Sequence, residues 1–271
     1  MLRSMYSGVS GMRGFQTKLD VIGNNIANVN TIGFKSGRVM FKDIMSQTVS
    51  GVTAPGDTQG GINAKQIGLG VSIASIDTLH LPGSAQTTNN PTDLRIDGDG
   101  FFLVKLTADQ ETAFLTRAGD FHVDAARNLV TSDGLHVLDS DNTPIQLAPE
   151  VTAFSISNDG TIVQTLDDGT TGPGVQIGVA KVTNPSGLEK IGGNLYRMSL
   201  NANAEGELVP TTANNTEDGT GAIISGQLEM SNVDLTNEFT EMIVSQRGFQ
   251  ANSRIITTSD EVLQEVVNLK R

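Results

Sequence analysis

Both ends of this 271-residue chain carry apolar residues at helical spacing, and the long stretch between them does not. From the N-terminus, Leu2, Met5, Val9, Met12, Phe15, Leu19, Ile22, Ile26 and Val29 follow one another at intervals of three or four. A helix turns once per ~3.6 residues, so these positions form one stripe along a single face. Gly8, Gly11, Gly14 and Gly23 interrupt the helix, and each costs it up to about 1 kcal/mol relative to Ala. A helix so loaded is marginal alone, and its stripe needs a partner.

The C-terminal pattern is stricter. Leu235, Met242, Phe249, Ile256 and Leu263 recur every seven residues, as one line of a heptad seam. The companion line is Phe239, Gln246, Ser253, Asp260 and Val267, apolar only at its two ends. A two-stranded coiled coil with that interior is poor. The helix suits a larger packed layer in which several neighbours share its faces. Ile243, Ile255, Val262 and Val266 widen the apolar surface. Asn232 or Asp234 is placed to cap the start, with Glu238 and Glu241 near the positive helix end and Lys270 and Arg271 at the negative one.

The middle reads as β structure. Val71–Ile76 alternates strictly, and further short runs follow at Phe101–Leu106, Ala113–Arg117, Phe121–Val123, Leu135–Leu138, Phe154–Ile156, Thr161–Thr165, Gln176–Val182, Leu195–Met198 and Ile223–Leu228. Turn signals separate them, among them Asp97-Gly98, Asp99-Gly100, Asp133-Gly134, Asp159-Gly160 and Asp168-Gly169. The fold class is therefore α+β: N- and C-terminal helices paired as a coiled-coil layer around an antiparallel all-β middle domain. The expected divisions are a helix and turn over 1–45, an extended connector over 46–70, a β-rich outer domain over 71–228 and the C-terminal helix over 229–271. A second Gly-, Asn- and Thr-rich connector is expected over 201–221.

Charge and motifs exclude several functions. The segment between residues 50 and 232 holds eight Lys/Arg against twenty-two Asp/Glu. That acidity opposes nucleic-acid binding, which needs a basic footprint. The chain has no Cys, which removes thiolate metal sites and Cys catalysis. Its three His, at 80, 122 and 136, are too far apart for a helical metal motif. Asp97-Gly98-Asp99-Gly100 begins like a calcium loop, but Phe101 falls on the next ligand position, so it reads as a hairpin turn entering a buried strand. No dinucleotide, Walker or nucleophile-elbow motif is complete. No apolar run is long enough to span a membrane, and none resembles a signal-peptide core. The expectation is a chain without cofactor, metal or catalytic residues.

The stretch Leu19-Asp20-Val21-Ile22-Gly23-Asn24-Asn25-Ile26-Ala27-Asn28-Val29-Asn30-Thr31-Ile32-Gly33-Phe34-Lys35 resembles the N-terminal signature of flagellar rod and hook proteins. Asn28, Thr31, Gly33, Phe34 and Lys35 make up its closing turn. The C-terminal residues Asn232-Val233-Asp234-Leu235, Glu238-Phe239, Met242-Ile243, Gln246-Arg247, Phe249-Gln250-Ala251-Asn252 and Asp260-Glu261-Val262-Leu263-Gln264 are similar to that family's C-terminal signature. So are Gly100-Phe101-Phe102 and Gly192-Gly193-Asn194-Leu195-Tyr196 in the middle.

The resemblance implies a structural subunit. Its terminal helices would be disordered before assembly, then pack with those of neighbouring copies around a central channel. The implied self-assembly residues are the stripe positions: Leu2, Met5, Val9, Met12, Leu19, Ile22, Ile26 and Val29 at the start, and Leu235, Phe239, Met242, Phe249, Ile256, Leu263 and Val267 at the end. The implied partners are copies of the chain in a helical polymer, rod proteins, hook-cap and hook-filament junction proteins, and the flagellar type III export apparatus, with no cleaved signal. The opening Met1–Gly11 is similar to short hook proteins of Gram-positive bacteria, whereas the chain's length and middle are similar to distal rod proteins. A hook subunit transmitting torque as a flexible joint is the expectation. A distal rod subunit is the alternative, and a secreted surface-layer or adhesin protein is the rival of another class.

Overall fold

The computed structural model describes residues 2–56, 60–107, 110, 112–167, 170–203 and 208–269; the expected turn at Asp168-Gly169, the basic pair Lys270 and Arg271, and residues 204–207 of the second connector lie outside them. The fold is α+β. The chain opens with helix α1 (Leu2–Ala27), closes with helix α2 (Leu235–Asn268), and is antiparallel β between. It divides into two compact units. One holds both helices with residues 37–78. The other holds Asn28–Ser36 and Leu79–Val233.

In the helical unit, α1 and α2 pack side by side. Their contacts run in opposite directions along the sequence, from Gly8 beside Ile256 to Asn25 beside Glu238, so the pair is antiparallel. Asp234 caps α2, accepting a hydrogen bond from Thr236 N at 2.9 Å. A connector is expected over 46–70, but the structure places strands there. Ser46–Ser50 pairs Lys65–Gly68, and next to them Gly37–Asp43 pairs Val71–Thr78. The two strand pairs are nested as one long hairpin, and the alternating Val71–Ile76 run belongs to the helical unit.

The β unit is centred on Phe101–Lys105, all five residues of which are buried. Successive strand side chains point to opposite faces, so this strand feeds two cores. Phe102 and Val104 join Leu94, Ile96, Val137, Ile145, Ile162, Ile177, Val179 and Ile223 on one side. Phe101 and Leu103 join Leu115, Leu138, Ala180, Val182 and Tyr196 on the other. Among the described residues this strand belongs to a nine-stranded antiparallel sheet. Its path runs Glu189–Gly192, Leu195–Arg197, Phe114–Thr116, Phe101–Lys105, His136–Val137, Leu129–Thr131, Phe121–Val123. Asp97–Gly100 is a turn, with Gly98 and Gly100 at φ of 121° and 138°. It is not a hairpin, because Leu94–Asp97 pairs Ala222–Ser225 instead of the strand that follows it. The run expected as one strand over Ile223–Leu228 is two, broken at Gly226, where φ is 78°.

Candidate functional site

The signature turn Asn28–Lys35 lies in the β unit. Thr31 N donates to Asn28 O at 3.2 Å, and its hydroxyl donates to Asn28 Oδ1 at 3.1 Å. Gly33 has φ of 69°, and a Cβ there would stand 2.5 Å from the Ala118 nitrogen, so no other residue fits. Its amide donates to Glu229 O at 2.8 Å. Phe34 is buried, with Lys190 Nζ 4.2 Å from the centre of its ring.

Lys35 is 1% exposed, which for a lysine requires a partner. Its Nζ donates to Glu229 Oε1 at 2.6 Å and to Leu81 O at 2.7 Å. The other oxygen of Glu229 accepts from Arg117 Nη1 at 3.3 Å, and Arg117 Nη2 donates to Gly98 O at 2.8 Å. Gly83 N completes the carboxylate's shell at 3.0 Å. Burial alone would push the Glu229 carboxyl up. Arg117, Lys35 and the hydrogen bonds to it outweigh burial and hold it below the ordinary carboxylate value. One carboxylate thus serves two buried cations, and each cation also donates to one backbone carbonyl, while Arg117 Nε is buried without a partner.

Above this cluster His80 packs edge-on against Phe101 and Tyr196, with ring centres 5.6 and 5.3 Å away. Burial, then the charges of Lys35, Arg117 and Lys190, lower its pKa to about 4. His80 is therefore a neutral core aromatic at neutral pH.

The seam between the helices mixes polar and apolar contacts. Glu241 pairs with Lys18, Ser245 is fully buried and Asn252 abuts Gly11, while Ile256 packs on Gly8 and Phe15 on Gly248. Glycines are the points of closest approach. A Cβ on Gly11 would lie 2.8 Å from Asn252 Nδ2, one on Gly14 2.8 Å from the Phe41 ring, and one on Gly248 2.6 Å from the Phe15 ring. Three of the four α1 glycines, Gly8 among them, thus face packed neighbours, while Gly23 has open space. Asn25, 2% exposed, pairs with both backbone groups of Gly37 at 2.9 and 3.0 Å and donates to Glu238 Oε1 at 3.1 Å.

The stripe residues divide accordingly. On α1, Ile22 is buried, and Met5, Val9, Met12, Leu19 and Ile26 are half-buried; Val29, past the helix end, is half-buried too. The Leu2 side chain lies outside the described residues. On α2, Met242, Ile256 and Leu263 are half-buried beside α1, but Leu235, Phe249, Phe239 (50%) and Val267 (65%) are exposed. Ile243, Val244, Ile255, Val262 and Val266 are exposed as well, so apolar side chains stand uncovered at intervals from one end of α2 to the other. Single exposed apolar residues are ordinary, but nine on one helix are not.

Glu229 and Arg117 do not stand out in the sequence as site residues, and Asn232 stands out only as a cap candidate and as part of the C-terminal signature. Lys35 and Glu229 are 194 positions apart, and no local pattern pairs them. The available signal was weak: an acidic residue ending the three-residue strand Gln227–Glu229.

These two elements, a buried signature turn and an uncovered C-terminal helix, coincide with known sequence families. Residues 5–35 match the flagella basal body rod protein model, 95–164 the flagellar hook protein FlgE/F/G D1 domain, and 224–269 the flagellar basal body rod FlgEFG protein C-terminal model. The chain belongs to the flagellar rod and hook protein family. Among relatives, the flagellar basal-body rod protein FlgG of Bacillus subtilis is 57% identical over 272 residues, covering 100% of both chains. That of Caulobacter vibrioides is 36% identical over 273 residues, 99% of this chain and 100% of its own. The flagellar hook protein FlgE of Borreliella burgdorferi is 53% identical over 138 residues, but these are 51% of this chain and 30% of the hook protein. The expectation of a hook subunit is thereby overturned. Hook likeness is confined to half the chain, whereas rod proteins match it end to end.

Proposed function

We propose that this chain is a structural subunit of the distal rod of the flagellar basal body. The end-to-end match to rod proteins carries this reading, since a hook relative aligns with only half of the chain. In the rod, α2 would bury Leu235, Phe239, Ile243, Phe249, Val262 and Val267 against helices of neighbouring copies, and α1 would contribute its stripe to the same layer. Burying a side chain of that size is worth ~1.5–3 kcal/mol, so a few such contacts per subunit hold a polymer together. Its partners are other copies of itself and the adjoining axial subunits, reached through the flagellar export apparatus.

Electron cryotomography of cells lacking the chain tests the assignment. A rod that stops short of full length, restored by the wild-type gene, is the expected result. A complete rod with nothing beyond it overturns the proposal.

A further inference from the structure

The chain passes between its two units four times: after Ala27, Ser36, Thr78 and Val233. Within the β unit the stumps of these passages converge. Leu79 N donates to Ser36 O at 2.9 Å, which joins the two feet of the 37–78 hairpin. Ser36 N donates to Asn232 Oδ1 at 2.8 Å, and Asn232 Nδ2 donates to Leu79 O at 2.7 Å. Asn232 therefore bonds both feet while standing three residues before the first residue of α2. The stump following α1 is the signature turn, fixed through Gly33 N and the Lys35 ammonium to Glu229.

We infer that Glu229 and Asn232 form a root clamp, which holds the stumps of all four passages as one piece of the β unit. The core explains why this is a separate device. Neither apolar cluster of the β unit contains a residue from 28–36. The turn is retained chiefly by polar contacts, most of them made to these two residues and to Asn194, which donates to Ile32 O at 2.8 Å. Removing a clamp partner leaves buried groups unpaired and so favours release of the turn. The sheet stays closed, because Phe34, the buried apolar residue of the turn, packs under Lys190 and belongs to neither core cluster. With the clamp intact, α1 and α2 can melt or repack while the points from which they start stay defined. This role does not depend on where in the flagellum the chain resides.

The test uses the full chain carrying Asn232→Ala or Glu229→Gln. Trypsin cleavage after Lys35 and amide exchange at Gly33 and Ser36 report the turn, and exchange at Leu103 and Val137 reports the sheet. Each variant should speed cleavage and turn exchange at least tenfold and leave the sheet amides unchanged. Unchanged rates at the turn, or equal acceleration at turn and sheet, overturn the clamp. If Glu229→Gln fails to fold, Asn232→Ala decides alone.

Discussion

The two units of this chain solve the burial problem differently. Among the described residues, the β unit buries more than twenty apolar side chains in two clusters that share one strand. Among its described residues the helical unit buries two, Ile22 and Val39, and exposes nine on α2 alone. One unit hides nearly all its large apolar side chains. The other joins its helices through a mixed seam and leaves much of the apolar surface of α2 uncovered. A single chain can thus combine a well-filled core with a helix that lacks one, and composition alone gives little hint of the division.

That contrast can be broken by mutation, and the largest effects belong to the β unit. Phe102→Ala removes a fully buried ring and should cost ~3–5 kcal/mol of stability by denaturant melting of the free chain. Glu229→Ala leaves Lys35 and Arg117 as buried, uncompensated cations, and amide exchange at Gly33 and Ser36 should show it as an opening of the signature turn eased by up to ~3–5 kcal/mol. Gly33→Ala should cost ~1–3 kcal/mol, because it imposes a strained φ and a clash with the Ala118 backbone.

Acid sharpens the comparison further. His80 titrates normally when unfolded but at about 4 when folded, so the unfolded chain binds the extra proton. Stability should therefore fall as pH drops from ~6.5 towards 4. Glu229 contributes stability above its ordinary value, and this is lost as pH falls below that value. Urea melts of the β unit across pH 4–7 check the first limb, which His80→Phe should flatten.

The smallest effect on the free chain is the most diagnostic. Phe239→Ser with Ile243→Ser on the exposed face should change monomer stability by no more than ~0.5 kcal/mol. The same pair should abolish polymer recovered by sedimentation at high concentration. Loss of monomer stability instead would place these side chains in an intramolecular core.

How much of this was legible in the sequence follows from the range of the forces involved. The two helices announced themselves by periodicity, because a stripe at three and four spacing has one geometric meaning. The continuous run Phe101–Leu106 signalled a strand buried on both sides. The hairpin strands at 46–50 and 65–68 were missed because Ser, Gln, Thr and Gly dominate them and every position is exposed. With no apolar alternation, only pairing defines them. The glycines of α1 looked like defects, since their use is visible only once Asn252 and Phe41 lie against them. The capping choice was open between Asn232 and Asp234, and the structure gives the cap to Asp234 and both hairpin feet to Asn232. Glu229 was invisible because its partners lie far away along the chain.

The meeting of Ser36 and Leu79 has a consequence for how such a chain can vary. Because the polypeptide departs from the sheet domain and comes back at the same spot, whatever lies between can grow or shrink without pulling the sheet apart. Lengthening a loop whose ends are already joined adds only ~0.6 kcal/mol of closure entropy per doubling. Relatives of different size could therefore be built on one scaffold by editing this excursion alone. The exposed residues beyond its outer strand pair, such as Gly51 and Gly61, are natural places to graft a tag for following the protein in cells.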